Sequence, residues 1–319
     1  MGSGDANRSF PLEVGIVWVL FVADAIAMFV TYARLPPREL YHVSGSGLEG
    51  GASRVLVFSN YSTALVAIAV LAVVADRLAR RVTTAAAVAA LVLCAAVFWP
   101  GVVDQANLDA KPSNAIAALG VLAACALTVV TRLQLGGSTW SPRQSGDRVR
   151  AAVAFLAVVV SLPWLAAELG FFLDGVPLLG RVYQTGKIER ETPTVSTVVP
   201  TVHHGHHHGL DALLLLLGAL LLSRVVPSVQ RRGLRLGLGL YLALLVAYAV
   251  GNLVNDGWDE QVVKRGWTNW LVPGVIRPTV SVAWGLIVLG AAVLYALAIW
   301  RAKRGPRPVV AQAAPALRA

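Results

Sequence analysis

Five of the chain's six histidines fall in six consecutive positions of the stretch TVHHGHHHGLD, beginning at His203. If the helix that follows begins one turn early, His204, His207 and His208 stand at i, i+3 and i+4 on one face. Asp211 then follows at i+7 on the same face. Imidazoles with a carboxylate suit Zn²⁺ or Cu²⁺ better than hard cations, which prefer oxygen ligands. The spacing therefore predicts a divalent transition-metal site, with His203 and His206 elsewhere on the turn, free to bind a second ion or to orient a ligand.

A single helix seldom supplies a whole coordination sphere, so neighbouring helix ends are expected to complete it. Glu168 ends the fifth apolar segment and Asp256 follows the seventh, and each is a candidate general base or additional ligand. A catalytic zinc site of three protein ligands also holds a water whose pKa falls to about 7. The remaining candidate ligands are His42, Asp104, Asn255, Asp259 and Glu260.

The histidine stretch has two other interpretations. Short His-rich tracts can collect metal ions without a defined geometry. They can also form a polar collar on a membrane helix that takes up protons when the surroundings become acidic.

Asp24 lies about ten residues into the first apolar segment, near the middle of a predicted membrane helix. An ionisable residue at this depth indicates a functional site, here a proton relay or an ion-coupling group. The alternative is a carboxyl group satisfied by Tyr248, Ser161 or Asn252. We expect no Lys, Arg or His at the same depth, so the sequence does not predict a buried ion pair.

The segment HVSGSGLEGGASR contains a histidine and several serines, but it lacks the G-x-S-x-G pattern of a serine hydrolase. Its glycines and serines predict a flexible substrate lid. Arg54, at the end of this segment, is expected either to bind a lipid phosphate or to anchor a helix boundary.

The elements that must position these residues are membrane helices. Apolar residues make up 56% of the chain and charged residues 14%, well below the charged share of soluble domains. A bilayer core of about 30 Å requires about 20 apolar residues per helix. The sequence predicts an all-α polytopic bundle of about eight transmembrane helices, at 14–34, 55–76, 83–103, 114–131, 151–168, 209–226, 235–254 and 279–300.

Basic residues orient this bundle, because Lys and Arg are retained on the cytoplasmic side. Most of the 27 basic residues fall in alternate loops, which places both termini in the cytoplasm. Residues 1–300 then form one membrane domain, and residues 301–319 form a basic cytoplasmic tail expected to be disordered. The extracytoplasmic loops are 35–54, 169–208 and 255–278, and the second half of the longest one predicts an extended lid or a short β element.

The net charge of +10 is a signal of topology, because the basic residues are scattered over short loops. A nucleic-acid-binding protein would gather them on one face, so no nucleic-acid partner is expected. The partner is the lipid bilayer itself, with a lipid or a membrane protein at the outer face. The excess of Arg, Ala, Val and Leu is typical of bacterial coding bias, which predicts a bacterial plasma (inner) membrane.

Together these patterns predict a membrane protein with an extracytoplasmic His-rich metal site, and a metal-dependent enzyme acting on a lipid-borne substrate is the leading hypothesis. A transition-metal transporter is the alternative, as is an assembly subunit that docks a partner through its outer loops. A transporter requires a continuous polar path, of which the sequence offers only Asp24 at mid-depth.

Overall fold

The computed structural model describes residues 9–35, 44–78, 81–99, 102, 109–186, 188–192, 195–200, 202, 209–276 and 278–304. This part of the chain is almost entirely helical, as the apolar segments predict. Its α-helices are α1 (Leu12–Arg34), α2 (Leu48–Phe58), α3 (Ala64–Arg77), α4 (Arg81–Cys94), α5 (Ile116–Leu135), α6 (Asp147–Val160), α7 (Leu162–Glu168), α8 (Leu179–Val182), α9 (Gly209–Ser223), α10 (Arg232–Trp258) and α11 (Val282–Arg304). A π-helical turn, Ser59–Thr63, joins α2 to α3, and a second one, Asp259–Val263, extends α10.

Five helical segments of the described chain are long and apolar enough to cross a membrane. They are Leu12–Arg34, Leu48–Arg77, Pro112–Leu135, Arg232–Val263 and Val282–Trp300. A sixth span results if α6 and α7 count as one helix, bent by 61°. Two further apolar helices, Val82–Phe98 and Gly209–Ser223, are shorter. The structure thus supports a membrane protein with five or six candidate spans, and it does not confirm the predicted count of eight.

The leucine-rich helix α9 lies at the centre of the bundle. It contacts α1, α3, α6, α7 and α10, and its side chains at Leu213, Leu215, Leu216 and Leu222 are fully buried. A helix that is apolar on every side is stable only when it is enclosed by other helices or surrounded by lipid. The peripheral helices instead expose large apolar side chains, including Val19, Leu122, Phe155 and Leu286. In a bilayer these surfaces face the lipid chains.

Contacts between distant segments define two ends of the bundle. At the amino-terminal end, strand β1 (Phe10–Pro11) pairs in parallel with strand β2 (Ser138–Thr139). The carboxylate of Asp76 accepts hydrogen bonds there from the backbone N–H groups of Gln230 and Arg231, at 2.8 and 3.0 Å. At the opposite end α1 and α7 finish and α2 and α9 begin. We call it the histidine end, because residues 203–208 directly precede α9 in the sequence.

The long loop at the histidine end contains regular structure. Strands β3 (Ile188–Thr192) and β4 (Val195–Pro200) pair antiparallel, with Ile188 opposite Pro200. This hairpin confirms the short β element that the Thr- and Val-rich composition predicts. The other two loops are shorter than predicted, since α2 already begins at Leu48 and helical structure continues to Val263.

Candidate functional site

The predicted metal ligands of the histidine stretch cannot be placed. His203, His204, His207 and His208 lie outside the described residues, as does His42. Among the residues that the structure describes, no group of three or more His, Cys, Asp or Glu side chains is arranged to hold a metal ion.

The helical stripe drawn from His204 to Asp211 is not continuous. Gly209 has φ +50°, in the left-handed region, so a right-handed helix cannot run through it. Helix α9 accordingly begins at Gly209, and Asp211 occupies its first turn. The i, i+7 spacing of a helix therefore does not relate Asp211 to His204.

Asp211 instead belongs to a buried charged cluster with Arg54 and Glu168. The Nη2 atom of Arg54 lies 3.2 Å from Oε1 of Glu168 and 3.4 Å from Oδ1 of Asp211. The Arg54 side chain is 2% exposed and that of Asp211 is fully buried. We call these three residues, together with Tyr32, the arginine cluster. It joins α1, α2, α7 and α9 at the histidine end.

Tyr32 completes the cluster from α1. Its hydroxyl donates a hydrogen bond to Oε1 of Glu168 at 3.3 Å. The Arg54 guanidinium lies over the Tyr32 ring, 5.5 Å from the ring centroid, within the range of a cation–π interaction. The same carboxylate oxygen of Glu168 thus accepts from both Tyr32 and Arg54.

Small residues allow α1 and α2 to approach closely enough for these contacts. A Cβ atom at Gly51, one turn before Arg54, would lie 2.7 Å from the carbonyl oxygen of Phe29 and 3.2 Å from Cβ of Ala33. Gly51 therefore places Arg54 against Tyr32 by bringing the two helix backbones together. The loop prediction for this segment fails because packing against α1 outweighs the flexibility of its glycines.

A bend in the fifth apolar segment positions Glu168. Helix α6 ends at Val160, and Pro163 in the first turn of α7 lacks the N–H that would continue the helix. The resulting bend of 61° turns α7 inward. Glu168, its last residue, becomes 5% exposed.

Asp256 and Glu260 hold the start of α9 from the other side. Oδ2 of Asp256 accepts a hydrogen bond from the backbone N–H of Gly209, one of the donors that a helix start leaves unsatisfied. Oε2 of Glu260 accepts from Nε1 of Trp164 at 2.6 Å, and a Cβ atom at Gly209 would overlap the Trp164 side chain. Asp256, predicted as a candidate general base, therefore contacts the backbone at the beginning of α9.

Asp24 lies deeper in α1, eight residues before Tyr32, which corresponds to about 12 Å along the helix. It shares the inward-facing side of α1 with the buried residues Phe21 and Met28. Arg54, Glu168 and Asp211 all lie within electrostatic range of its carboxyl group. Of the predicted alternative partners, Tyr248 donates to the carbonyl of Ile276 and Asn252 donates to that of Tyr248. The hydroxyl of Ser161 is buried and has no hydrogen-bond partner within the described residues.

The expectation that Arg54 binds a lipid phosphate or anchors a helix boundary is wrong, because its guanidinium group is buried against Glu168 and Asp211. The sequence contains one signal that Arg54 faces the interior of the bundle. Arg54 is followed directly by apolar residues and precedes the polar turn SNYST, whose residues Asn60, Ser62 and Thr63 are also buried. A polar patch within an apolar helix indicates an interior-facing site.

The charges in this region do not balance. Two carboxyl groups, those of Glu168 and Asp211, contact the Arg54 guanidinium, and the carboxyl group of Asp24 interacts electrostatically with all three. A buried charge in a medium of low dielectric is stable only when it is paired or neutralised. The arrangement thus has the capacity to take up positive charge. No protein family, curated protein or solved structure matches this chain.

Proposed function

We propose that this chain is a multi-pass protein of a bacterial plasma membrane that binds a divalent transition metal, Zn²⁺ or Cu²⁺, through the histidine stretch 203–208. In this proposal it is a metal-dependent enzyme, and its substrate is carried in the lipid at the extracytoplasmic face. The observation that carries the proposal is the anchoring of both residues that flank the stretch, Val202 and Gly209, at the histidine end.

The two flanking residues are fixed to different elements. Val202 is buried, and its backbone N–H donates to the carbonyl of Thr185 at 3.3 Å. Gly209 donates to the carboxylate of Asp256. Only six residues separate these two fixed points, and a short connection of this kind favours a defined metal site over a loose collector of ions.

The acidic residues at this end have supporting roles in the proposal. Glu168 and Asp211 bind Arg54, so we assign the metal to the histidines alone. Arg54 holds α2 against the end of α7 and the beginning of α9. Asp256 fixes the first residue of α9, directly after His208 in the sequence. In the proposal, these contacts hold the two residues that flank the histidine stretch in position.

The proposed topology has eight spans and both termini in the cytoplasm. Five spans, one bent span and the two shorter apolar helices, Val82–Phe98 and Gly209–Ser223, together account for eight. The distribution of Lys and Arg supports the orientation. It places the histidine end outside, where extracytoplasmic metal ions have access.

A lipid-borne substrate suits the surface around the site. Aromatic side chains at the histidine end are largely exposed, among them Phe171, Phe172, Trp267 and Trp270. Trp and Phe side chains of this kind occupy the boundary between lipid headgroups and acyl chains. A substrate with a headgroup at that level would reach the histidine stretch without leaving the membrane.

Transport of the metal through the bundle is disfavoured. Between Asp24 and Glu13, the buried side chains of α1 are Phe21, Val17 and Val14. Apolar side chains on this face give an ion no ligands on its way to the amino-terminal end. The polar groups at the histidine end thus serve a site that opens to one side.

Metal content tests the proposal directly. Untagged protein and the variant His204→Ala/His207→Ala/His208→Ala are purified in detergent, equilibrated with Zn²⁺ or Cu²⁺, desalted and measured by elemental mass spectrometry. We expect near-stoichiometric metal in the native protein and its loss in the triple variant. His42→Ala, which removes the one histidine outside the stretch, is the matched control and should retain the metal. If the native protein holds no metal, the proposal is wrong.

A further inference from the structure

Asp24 differs from the other acidic residues near the cluster in its contacts. Oδ2 of Asp24 is buried and has no hydrogen-bond partner within the described residues. The side chain as a whole is only half-buried, and the preceding residues Val22 and Ala23 are exposed. Asp24 therefore lies at the edge of the inward face of α1, between the interior of the bundle and the surface that faces lipid.

The groups that face Asp24 come from each helix packed against this part of α1. Arg54 belongs to α2, Glu168 to α7 and Asp211 to α9. Tyr32 lies two turns further along α1 itself and donates to Glu168. Arg54 is thus the one cation among these groups, and its ion pairs at 3.2 and 3.4 Å are with Glu168 and Asp211.

Within the part of the chain that the structure describes, Asp24 therefore has no ion-pair partner. An ionised carboxylate in an apolar medium with no hydrogen-bond donor is strongly unfavourable, and two neighbouring carboxylates make it more so. A proton neutralises a carboxylate through one oxygen atom, whereas a metal ion requires several ligands in a fixed geometry. No such group of ligands exists among the described residues.

We propose that Asp24 is an exchangeable proton-binding site, reached from the lipid-facing side of α1 and coupled by charge to Glu168, Asp211 and Arg54. The ligand is the proton, and its uptake lowers the excess negative charge of the three carboxyl groups over the Arg54 guanidinium. This site goes beyond the proposed metal site, because it uses none of the histidines.

A lipid-soluble carbodiimide provides the test, because it reacts with protonated carboxyl groups in apolar surroundings. The carboxylic acid transfers its proton to one nitrogen of dicyclohexylcarbodiimide, and its oxygen forms a bond to the central carbon. The O-acylisourea rearranges to a stable N-acylurea by moving the acyl group to nitrogen, with no leaving group. Mass spectrometry of proteolytic fragments then locates the adduct on the chain.

We expect an adduct at Asp24 whose rate of formation falls as the pH rises, by about tenfold per pH unit once the carboxyl group is mostly ionised. Asp24→Asn should abolish this adduct. Glu168→Gln removes a neighbouring negative charge, so Asp24 should ionise more readily and its labelling should disappear at lower pH. Should Glu168→Gln fail to fold, Asp211→Asn tests the same electrostatic coupling from α9.

Infrared spectroscopy tests the protonation of Asp24 without dicyclohexylcarbodiimide. A protonated carboxylic acid has a carbonyl band that a carboxylate lacks, and the native protein should show one that disappears at high pH and is missing in Asp24→Asn. Absence of both the adduct and the band in folded protein would overturn the proposal. So would labelling of Asp24 that does not change with pH, since that carboxyl group would not exchange its proton.

Discussion

The guanidinium of Arg54 lies 3.2 Å from the carboxylate of Glu168, although 114 residues separate them in the chain. The same Nη2 atom lies 3.4 Å from Asp211. One buried side chain of α2 thus holds the end of α7 and the beginning of α9. Because α9 directly follows the histidine stretch, the arginine cluster couples the packing of the bundle to the proposed site.

Removing Arg54 should therefore destabilise the whole bundle. In Arg54→Ala, Glu168 and Asp211 remain buried without their counterion, and breaking a buried pair in this way costs about 3–5 kcal/mol. We expect a corresponding loss in the free energy of unfolding, measured by denaturant titration in detergent. Arg148→Ala is the matched control, because Arg148 is exposed, and it should change stability by less than about 0.5 kcal/mol.

A variant without any of the three charges separates the contribution of charge from that of packing. Arg54→Met/Glu168→Gln/Asp211→Asn removes the guanidinium and both carboxylates while keeping similar side-chain volumes. Since no uncompensated charge remains, it should be more stable than Arg54→Ala. If the triple variant were the less stable of the two, the Arg54 contacts would act through packing and not through charge.

The sequence was sufficient to predict the helices but insufficient to predict the arginine cluster. Long apolar segments must be helical because their backbone polar groups cannot be satisfied by lipid, and each predicted segment contains helical structure within the described residues. The local composition predicts a loop at Arg54, because Gly50, Gly51 and Ser53 favour flexible conformations. Their small size instead permits a close helix contact, which is a tertiary property that local composition does not reveal.

The contact of Asp211 with Arg54 also could not be predicted from the spacing of residues in the sequence. A helical stripe from His204 assumes right-handed geometry at every residue between, and glycine is the residue that departs from it at least cost. Gly209 has φ +50°, so the stripe ends there. The contact of Asp211 with Arg54 depends on how α2 packs against α9, and a single sequence contains no signal for that pairing.

Replacing Gly209 tests whether the start of α9 requires a residue without a side chain. Gly209→Ala places a side chain where φ is positive and where Trp164 already occupies the space, so we expect a loss of about 2–3 kcal/mol in unfolding free energy. Metal binding by the histidine stretch should weaken as well, measured by titration with Zn²⁺.

The matched control for this change is Gly237→Ala in α10. A Cβ atom there meets nothing within 4 Å, and alanine favours a helix interior over glycine by about 1 kcal/mol. Stability should therefore stay the same or rise slightly. Equal destabilisation by the two substitutions would contradict the special geometry of Gly209.

The pKa of Asp109 offers a test of the loops at the histidine end. The Ser44 hydroxyl donates to its Oδ2 at 2.6 Å and the Ser44 backbone N–H donates to its Oδ1 at 2.8 Å, which holds the pKa of Asp109 below its ordinary value of 3.8. A carboxyl group with a lowered pKa contributes stability above its unfolded pKa and loses it as the pH falls through the folded one.

Ser44→Ala should bring the pKa of Asp109 closer to 3.8, because the hydrogen bond from the Ser44 hydroxyl is lost. NMR of the carboxyl carbon as a function of pH measures this change. The variant should also be less sensitive to acid below about pH 4, since less stability depends on the ionised form. An unchanged pKa would show that the Ser44 hydroxyl does not bind Asp109 in solution.

The amino-terminal end of the bundle has a second charged cluster, formed by Glu13, Arg224 and Asp147. Replacing its arginine should destabilise the protein more than replacing its buried glutamate. The fully buried carboxylate of Glu13 accepts from Nε of Arg224 at 3.2 Å and from the backbone N–H of Ser141 at 3.0 Å. Arg224 also lies 2.5 Å from Asp147 and 5.9 Å from the centroid of the Trp140 ring. Glu13 thus depends on Arg224 more than Arg224 depends on Glu13.

Arg224→Ala should therefore destabilise the protein by about 3 kcal/mol, because it leaves Glu13 buried with a single backbone donor. Glu13→Gln should lose only about 1–2 kcal/mol, since Arg224 keeps Asp147 and its exposed edge remains solvated. The double variant gives the coupling energy, expected at about 1–2 kcal/mol for residues in direct contact. If Glu13→Gln proved the more damaging change, the position of Arg224 would depend chiefly on Glu13, and Asp147 would contribute little to holding α1 and α6 together at this end of the bundle.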